Sequence, residues 1–303
     1  MRIGVLGSPA SWVFREMERA AADVHEMVAL QFSQLSAGFD GSGTSLFCSS
    51  ESSERREWLD SLDAILIRPM PSGSLQQVVF RMNLLQQLSQ QHRVVILNPP
   101  PTIESSVDKY LCLEKIRGGK IEVPATFLAE SAATALLHFR QLAMDTVIKP
   151  LFGSGGNGIE RVQEIAVASK LFSQKVENGE IIYQQQFIDH GDTDLRLLVI
   201  GDRVLGMQRT HAGHWITNIQ QGARASHHTP TPIEIEIARL AAARLGAQIA
   251  GVDLMYDRSG RPLVIEVNAC PGWQAISNVS DEDISALVLD QLVAEVNRNQ
   301  QPV

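Results

Sequence analysis

A chain of 303 residues, 44% of them hydrophobic and 20% charged, is long enough for two or three lobes sharing a sizeable core and has the composition of an ordinary globular protein rather than a disordered one. A net charge of −8 argues against a protein that coats nucleic acid by neutralising phosphates, and no apolar run approaches the roughly 18 residues of a membrane span, so neither is an expected partner. Cys48, Cys112 and Cys270 lie far apart without a Cys-x-x-Cys pair, which supports no disulfide framework and no structural zinc site; this suits a cytoplasmic protein, and the start of the chain is too short an apolar run for a signal peptide.

The chain to about Asn98 reads as a small α/β unit. Arg2 to Leu6 is a predicted strand, Gly7-Ser8-Pro9 turns it into the helical pattern Trp12 to Ala22, and Ser33 to Ser53 reads as a polar loop region. Ala64 to Ile67 and Val94 to Leu97 are predicted buried strands with a helix, Leu75 to Ser89, between them, an alternation that implies a parallel sheet. Asn98-Pro-Pro-Pro101 reads as a stiff, extended break and marks the boundary of the first domain, residues 1–97.

A second unit, 98–187, follows. Ser106 is expected to cap a helix carrying Asp108, Lys109, Leu113 and Ile116, which stops at Gly118-Gly119. Ile121 to Phe127 and Thr146 to Pro150 are predicted strands. Lys149 then precedes the most glycine-dense stretch of the chain, Gly153-Ser154-Gly155-Gly156-Asn157-Gly158. Its glycines satisfy the letter of G-x-G-x-x-G, but the dinucleotide fingerprint needs a helix to open there, and Ile159 to Val162 continues as a strand. A glycine loop between strands, with a lysine at its root, makes a flap whose N–H groups can cover phosphates; the plainer alternative is a glycine-rich hairpin loop. Glu164 to Val176 is a predicted helix, and Glu180 to Gln186 a strand leading into Phe187 and Ile188.

In the last unit, 188–303, Asp194 to Ile200 and Arg203 to Arg209 form a predicted hairpin around Gly201-Asp202, with Asp194 and Arg196 on one face. His211, His214, His227 and His228 cluster in sequence and are read as loop residues in preference to a zinc site. Thr231-Pro232-Ile233-Glu234 is a capping box opening a helix that Gly246 ends, and another helix follows Asp283; both are expected to be packing. Between them, Ala250 to Tyr256 and Leu263 to Val267 read as a hairpin closed by Asp257-Arg258-Ser259-Gly260. With a period of two, Glu266 and Asn268 share a face, and Asp253 joins them if the register allows. Oxygen ligands converging from rigid strands suit Mg²⁺ beside a nucleotide; the alternative is the wet face of a hairpin.

Taken in order, Asp108-Lys109, Lys149 with its glycine flap, Gln186-Phe187-Ile188, Asp194-x-Arg196, Trp215-Ile216-Thr217-Asn218, Asp253 and Glu266-x-Asn268 resemble the ATP-grasp superfamily, and within it the RimK-like α-L-glutamate ligases. The resemblance covers nearly all of the chain from Asn98 to Trp273. It implies an α/β (α+β) ATP-grasp fold, an N-terminal parallel-sheet unit followed by two ATP-grasp lobes. It implies ATP and Mg²⁺ or Mn²⁺ as cofactors. Lys109 and Lys149 would contact phosphates, with Gly153, Ser154, Gly155 and Gly156 over them. Gln186, Phe187 and Ile188 would line the adenine site, with Asp194, Thr217 and Asn218 also at the nucleotide. Asp253, Glu266 and Asn268 match the metal ligands, and Arg196 and Arg209 would join Lys149 in catalysis as anion contacts.

Two departures from the family pattern matter. Ile216 stands where RimK itself has arginine, and Gln186 where a glutamate is usual. His214-Trp-Ile-Thr-Asn218 looks more like the aminoadipate carrier-protein ligases, whereas Asn268-Ala-Cys-Pro-Gly272 keeps the form of the RimK and tetrahydromethanopterin ligases. The implied reaction is C–N ligation through an acylphosphate, adding L-glutamate to a small-molecule, pterin-like carboxylate. The alternatives are modification of a protein C-terminus, ribosomal or amino-group carrier, and a non-catalytic ATP-binding regulator; a nicotinamide oxidoreductase is disfavoured by the strand after Gly158. Whether the chain forms a homo-oligomer is left open.

Overall fold

The computed structural model describes residues 1–41, 43–49, 56–91, 94–153 and 155–300. The first unit contains β1 (Arg2–Leu6), α1 (Trp12–Ala21), β2 (Glu26–Leu30), β3 (Leu35–Asp40), β4 (Gly43–Ser49), β5 (Arg56–Trp58), β6 (Ala64–Ile67), α2 (Leu75–Gln91) and β7 (Val95–Leu97). Its four-stranded sheet is parallel, in the order β2-β1-β6-β7, as the alternation of apolar runs and helices implied. The region expected to be a polar loop instead folds largely as an antiparallel sheet, β3-β4-β5. Serines and glycines there conceal a weak period-two pattern, in which Leu46 and Cys48 point into the core beneath the parallel sheet. Ser42 and residues 50–53 of that region lie outside the described residues.

Next come α3 (Pro100–Val107), α4 (Lys109–Ile116), β8 (Thr126–Ala129), α5 (Ala132–Gln141), β9 (Thr146–Lys149), β10 (Glu160–Val162), α6 (Ile165–Glu177) and β11 (Ile182–Gln186). The strands form an antiparallel sheet ordered β10-β9-β11-β8, covered by α5 and α6 through Phe139 and Phe172. Three expectations are corrected. The proline run is not wholly extended: Pro99 precedes the helix and Pro100 opens it, where a missing N–H costs nothing. Ser106 lies inside α3 and does not cap the following helix; Asp108 does, its Oδ1 accepting from the N–H groups of Tyr110 and Leu111, both at 2.9 Å. The strand expected from Ile121 begins only at Thr126, because Pro124 has no N–H to donate to a ladder.

The remainder is β12 (Thr193–Ile200), β13 (Arg203–Thr210), β14 (Arg224–His228), α7 (Pro232–Leu245), β15 (Ile249–Tyr256), β16 (Pro262–Asn268), α8 (Gln274–Ser277) and α9 (Ile284–Gln300). Five antiparallel strands, ordered β14-β13-β12-β15-β16, make the largest sheet. One face packs on α7 and on α4, whose Cys112, Leu113 and Ile116 share a core with Ile237, Ala241 and Leu245. The capping box at Thr231 and the left-handed Gly246 bound α7 as the sequence indicates. Helix α9 crosses back to the first unit, where Val288, Leu292 and Val296 join Ile3, Val5 and Met17.

Asn98 joins the first unit to the largest sheet. Buried to 1% exposure, it donates Nδ2 to the carbonyls of Ile249 and Ala269, both at 2.6 Å, while Oδ1 accepts from the N–H groups of Gln248 at 2.8 Å and Ile249 at 3.2 Å. Every polar atom of the amide is used, and the backbone groups it serves are themselves buried or half-buried. Asn98→Ala should therefore lower the unfolding free energy by roughly 2–4 kcal/mol in urea titrations, since several buried groups lose partners together. Asn98→Asp should cost at least as much, because it turns the donor into an acceptor facing two carbonyls.

Candidate active site

A cleft lies between the small antiparallel sheet and the largest one. Its floor follows from strand register. Asp194 on β12 stands opposite Arg209 on β13, Arg196 stands opposite Asp253 on β15, and Asp253 stands opposite Glu266 on β16. Side chains directly opposite one another share a face, so the register aligns these charges across four strands. Arg209 grips Asp194 at two points, 2.6 and 2.5 Å, and reaches Asp253 at 3.1 Å. Arg196 holds Asp253 from the other side, Nη2 to Oδ2 at 2.9 Å. It lies over Gly251, where a Cβ would sit 2.5 Å from Nη1. Thr217, buried, also hydrogen-bonds Asp194.

Burial works against the charge of Arg209, Asp253 and Asp194. For Arg209 the carboxylates of Asp253 and Asp194 outweigh it and raise the pKa; for Asp253 the two guanidiniums outweigh it and hold the carboxyl below its usual range. Burial pushes Asp194 upward, opposed chiefly by the charge and two-point contact of Arg209. A bulge between Asp253 and Leu254 interrupts the alternation on β16, so Ile265 and Glu266 both line the cleft.

The roof carries the lysines. Lys149, the last residue of β9, is fully buried and donates to Gln185 Oε1 at 2.6 Å; burial lowers its pKa to about 8. Lys109 opens α4 and donates to the carbonyl of Gly153 at 2.7 Å, and burial lowers its pKa as well. Gly153, Gly155, Gly156 and Gly158 all have positive φ. The loop they form is docked on the Asn218–Gln221 segment: Gln221 Nε2 donates to the Gly155 carbonyl at 3.2 Å, and a Cβ on Gly156 would lie 2.7 Å from Asn218 Oδ1. Ser154 lies outside the described residues. At the far wall, Gln186, Phe187 and Ile188 follow the end of β11. Phe187 meets Trp215 edge-on at 5.8 Å and carries the Arg161 guanidinium 3.4 Å from its ring centre, itself fixed by Asp145 at 2.7 and 2.6 Å.

Of the residues singled out from sequence, Lys109, Lys149, Gly153, Gly155, Gly156, Gln186, Phe187, Ile188, Asp194, Thr217, Asn218, Arg209, Asp253 and Glu266 line this one cleft. Arg196 lies beneath its floor, paired to Asp253. Asn268 is two residues past Glu266 and outside the lining, its Oδ1 accepting from the Cys270 N–H at 2.8 Å. Gln185 and Arg161 were not singled out. Gln185 shares a face with Lys149 because Tyr183 pairs with Lys149, a register not readable from one strand. Among the described residues no three His, Cys, Asp or Glu side chains converge as a metal trio. His228 Nε2 instead meets Glu234 Oε2 at 2.8 Å at the start of α7.

Glu266 forms no hydrogen bond or ion pair among the described residues, so its carboxylate is open beside Asp253, and Asn268 Oδ1 keeps a second lone pair. Carboxylate and carboxamide oxygens on rigid strands fit Mg²⁺, with Asp253 shared with its arginines.

Two antiparallel sheets closing on a cleft, with lysines and a glycine loop above a charged floor, define the ATP-grasp class. The sequence profile of the RimK-like ATP-grasp domain matches residues 106–292, and the chain belongs to that family; it is an ATP-dependent ligase. It is 30% identical over 301 residues to the tetrahydromethanopterin:α-L-glutamate ligase of Methanococcus maripaludis, covering 96% of this chain and 97% of the relative. It is 33% identical over 208 residues to a probable α-L-glutamate ligase of Haemophilus ducreyi, 67% of each chain. Among solved structures it is similar to the macrocyclase MdnC of Microcystis aeruginosa MRC, bound with precursor peptide MdnA, at TM-score 0.74 and 11% identity over 97% of this chain and 100% of that one. A RimK domain ATP-grasp protein of Sphaerobacter thermophilus matches at TM-score 0.71 and 20% identity, over 97% and 100%. These two likenesses speak for the fold alone.

The charged floor makes a stability prediction independent of any ligand. Arg209→Met should destabilise the chain by about 3–5 kcal/mol in chemical denaturation, because Asp194 is left buried without a counter-ion and Asp253 keeps only Arg196. Adding Asp194→Asn to that variant should recover part of the loss.

Proposed function

We propose that this ligase joins the amino group of L-glutamate to a small-molecule carboxylate of the pterin-cofactor kind, by way of an acylphosphate made from ATP. The observation that carries the ligation chemistry is the pairing, in one cleft, of two buried lysines that hydrogen-bond to no carboxylate among the described residues with the open carboxylate of Glu266. The acceptor reading is supported by end-to-end similarity to a ligase named for tetrahydromethanopterin and glutamate.

In this reading lobes 98–187 and 188–303 close on the nucleotide. Gln186, Phe187 and Ile188 hold adenine, with Asp194, Thr217 and Asn218 on the far side. Lys109, Lys149 and the N–H groups of residues 153–156 take the phosphates. Asp253 and Glu266, with Asn268 beyond, would hold Mg²⁺, which when bound screens phosphate charge as a Lewis acid. Mg and ADP are present in a solved complex of the ATP-grasp ligase PsnB, 16% identical to this chain.

A carboxylate is a poor electrophile, so the acceptor first takes the γ-phosphoryl group; the glutamate amine then displaces phosphate, leaving an amide and ADP. Lys149 stabilises the charge on the transferring group. The glycine loop, docked on Asn218–Gln221, keeps water from the acylphosphate. Arg196 and Arg209 act by holding Asp253 in place. A cytoplasmic setting belongs to the reading and is supported by three buried free thiols.

The test presents the chain with ATP, Mg²⁺ and L-glutamate together with equal amounts of a pteridine-type carboxylate and a ribosomal-protein tail peptide, and follows ADP release and product mass. Glutamate should appear on the pteridine. Glutamate joined only to the peptide would overturn the acceptor, and turnover with lysine or aminoadipate but never with glutamate would overturn the amine.

Lys149 adds a pH signature. In the free protein it loses its proton near pH 8. Bound phosphate raises that pKa, so above about 8 binding must take up a proton. ATP affinity should fall as pH rises from about 8 toward the ordinary lysine range, by at most roughly tenfold per pH unit. Calorimetry in buffers of different ionisation enthalpy should register the uptake, and Lys149→Met should flatten the slope.

A further inference from the structure

Outside the cleft just described, Arg68 is a buried cation without a counter-ion. It follows the last residue of β6 and is only 8% exposed. No carboxylate among the described residues pairs with it. Its Nη2 donates to the Pro271 carbonyl at 3.0 Å, and the guanidinium lies 4.5 Å over the Trp273 ring. Nε and Nη1 find no acceptor among the described residues, yet packing does not seal them off. Burial lowers the pKa only to about 10, so the group is charged at neutral pH.

A link between domains requires no more than the stacked face and one nitrogen. The two unused donors of a planar fork suit an arriving carboxylate. A fold that buries a charge against desolvation without a protein counter-ion does so where a ligand supplies one.

The location supports the same conclusion. In the order β2-β1-β6-β7 the chain reverses its direction of growth between β1 and β6, and Arg68 is the first residue past β6 at that point. Such a switch point, at the carboxyl ends of parallel strands, is where open α/β sheets bind ligands. Gly7, just past β1, lets the backbone pack closely against Arg68: a Cβ there would lie 2.9 Å from Arg68 Cβ. Packing links Arg68 to the cleft floor: its partner Pro271 has its Cβ 3.1 Å from the place a Gly251 Cβ would take, and Arg196 lies over that same glycine beside Asp253.

We propose that Arg68 anchors a non-reacting carboxylate of the amine substrate, holding it at the β1/β6 crevice while its amino group enters the cleft. The proposal rests on the reading of the chain as a carboxylate–amine ligase with glutamate as the amine, since glutamate keeps both carboxylates free in that role. The reacting carboxylate is the less suitable occupant, because a guanidinium clamp would reduce its nucleophilicity toward ATP. Arg68 is thus a binding residue on the side of the first domain, separate from the phosphate contacts.

The test measures L-glutamate binding by calorimetry to the full chain loaded with Mg²⁺ and a non-hydrolysable ATP analogue, in the parent, Arg68→Met and Arg68→Lys. Arg68→Met should weaken glutamate at least tenfold and Arg68→Lys less, with affinity for the ATP analogue within twofold of the parent. In turnover the KM for glutamate should rise while the KM for ATP stays put. Equal glutamate affinity in parent and Arg68→Met would make Arg68 a domain link and overturn the proposal. If Arg68→Met does not fold, the parent alone decides through L-glutamine and L-isoglutamine, each lacking one carboxylate. One of them should bind at least tenfold more weakly than glutamate, and equal binding of all three overturns the assignment. A parent that ignores glutamate but releases ADP with another amino acid defeats the glutamate reading only. The same variants are then compared with that amino acid, and affinity independent of Arg68 defeats this proposal too.

Discussion

The site depends on a carboxylate that could not be buried alone. Asp253 sits in the largest sheet with its side chain shut from bulk water, a placement that would cost several kcal/mol without compensation. Register removes the cost: Arg196 is its direct neighbour on β12, and Arg209, opposite Asp194, is close enough to be shared. Gly251 belongs to the same solution, because a side chain there would occupy the space of the Arg196 guanidinium. Four side chains thus lock one another, and the cleft floor is rigid before any ligand arrives.

That locking decides which charges remain available. Asp194, Asp253, Arg196 and Arg209 pair their charges with one another, whereas Glu266 on the same floor has no such partner among the described residues. Above it, Lys149 and Lys109 are held by neutral acceptors, an amide oxygen and backbone carbonyls, and both are pulled down by burial. Ammoniums held this way stay under-compensated, and polyphosphate supplies the missing charge. An open anion facing under-compensated cations is an arrangement suited to a metal–phosphate complex and poorly suited to either ion by itself.

Much of this was legible in the sequence, and the limits have physical causes. Asp253, Glu266 and Asn268 could be placed on one hairpin because period-two alternation and the Asp257–Gly260 turn are local signals. The bulge that turns both Ile265 and Glu266 into the cleft is not, since it appears only when two strands are paired. Likewise Asp194 and Arg196 share a face by spacing, but their partners, Arg209 and Asp253, are set by register between strands. The start of α4 at Asp108 was hidden by a serine two residues earlier that looked equally able to cap. The β3–β4 pair was hidden by small polar residues whose strand character comes from Leu46 and Cys48 meeting a core supplied by distant segments.

Arg68, and Asn98 at the exit of β7, tie the first domain to the strand that carries Glu266. Both reach the turn that leaves β16. Asn98 Nδ2 holds the Ala269 carbonyl and Arg68 Nη2 the Pro271 carbonyl, while Asn268 Oδ1 takes the Cys270 N–H between them. Each of these backbone groups is therefore held by a side chain, one from the parallel-sheet unit and one from the residue that leaves it. Asn268 is the last residue of β16 and Glu266 stands two before it, so the orientation of the candidate metal ligands is coupled to the seating of the first domain. Trp273, fully buried against α9 with its indole N–H on Ser285 at 3.0 Å, continues the same contact. A ligand that binds at the β1/β6 crevice and loads Arg68 thus acts on the group that positions Pro271.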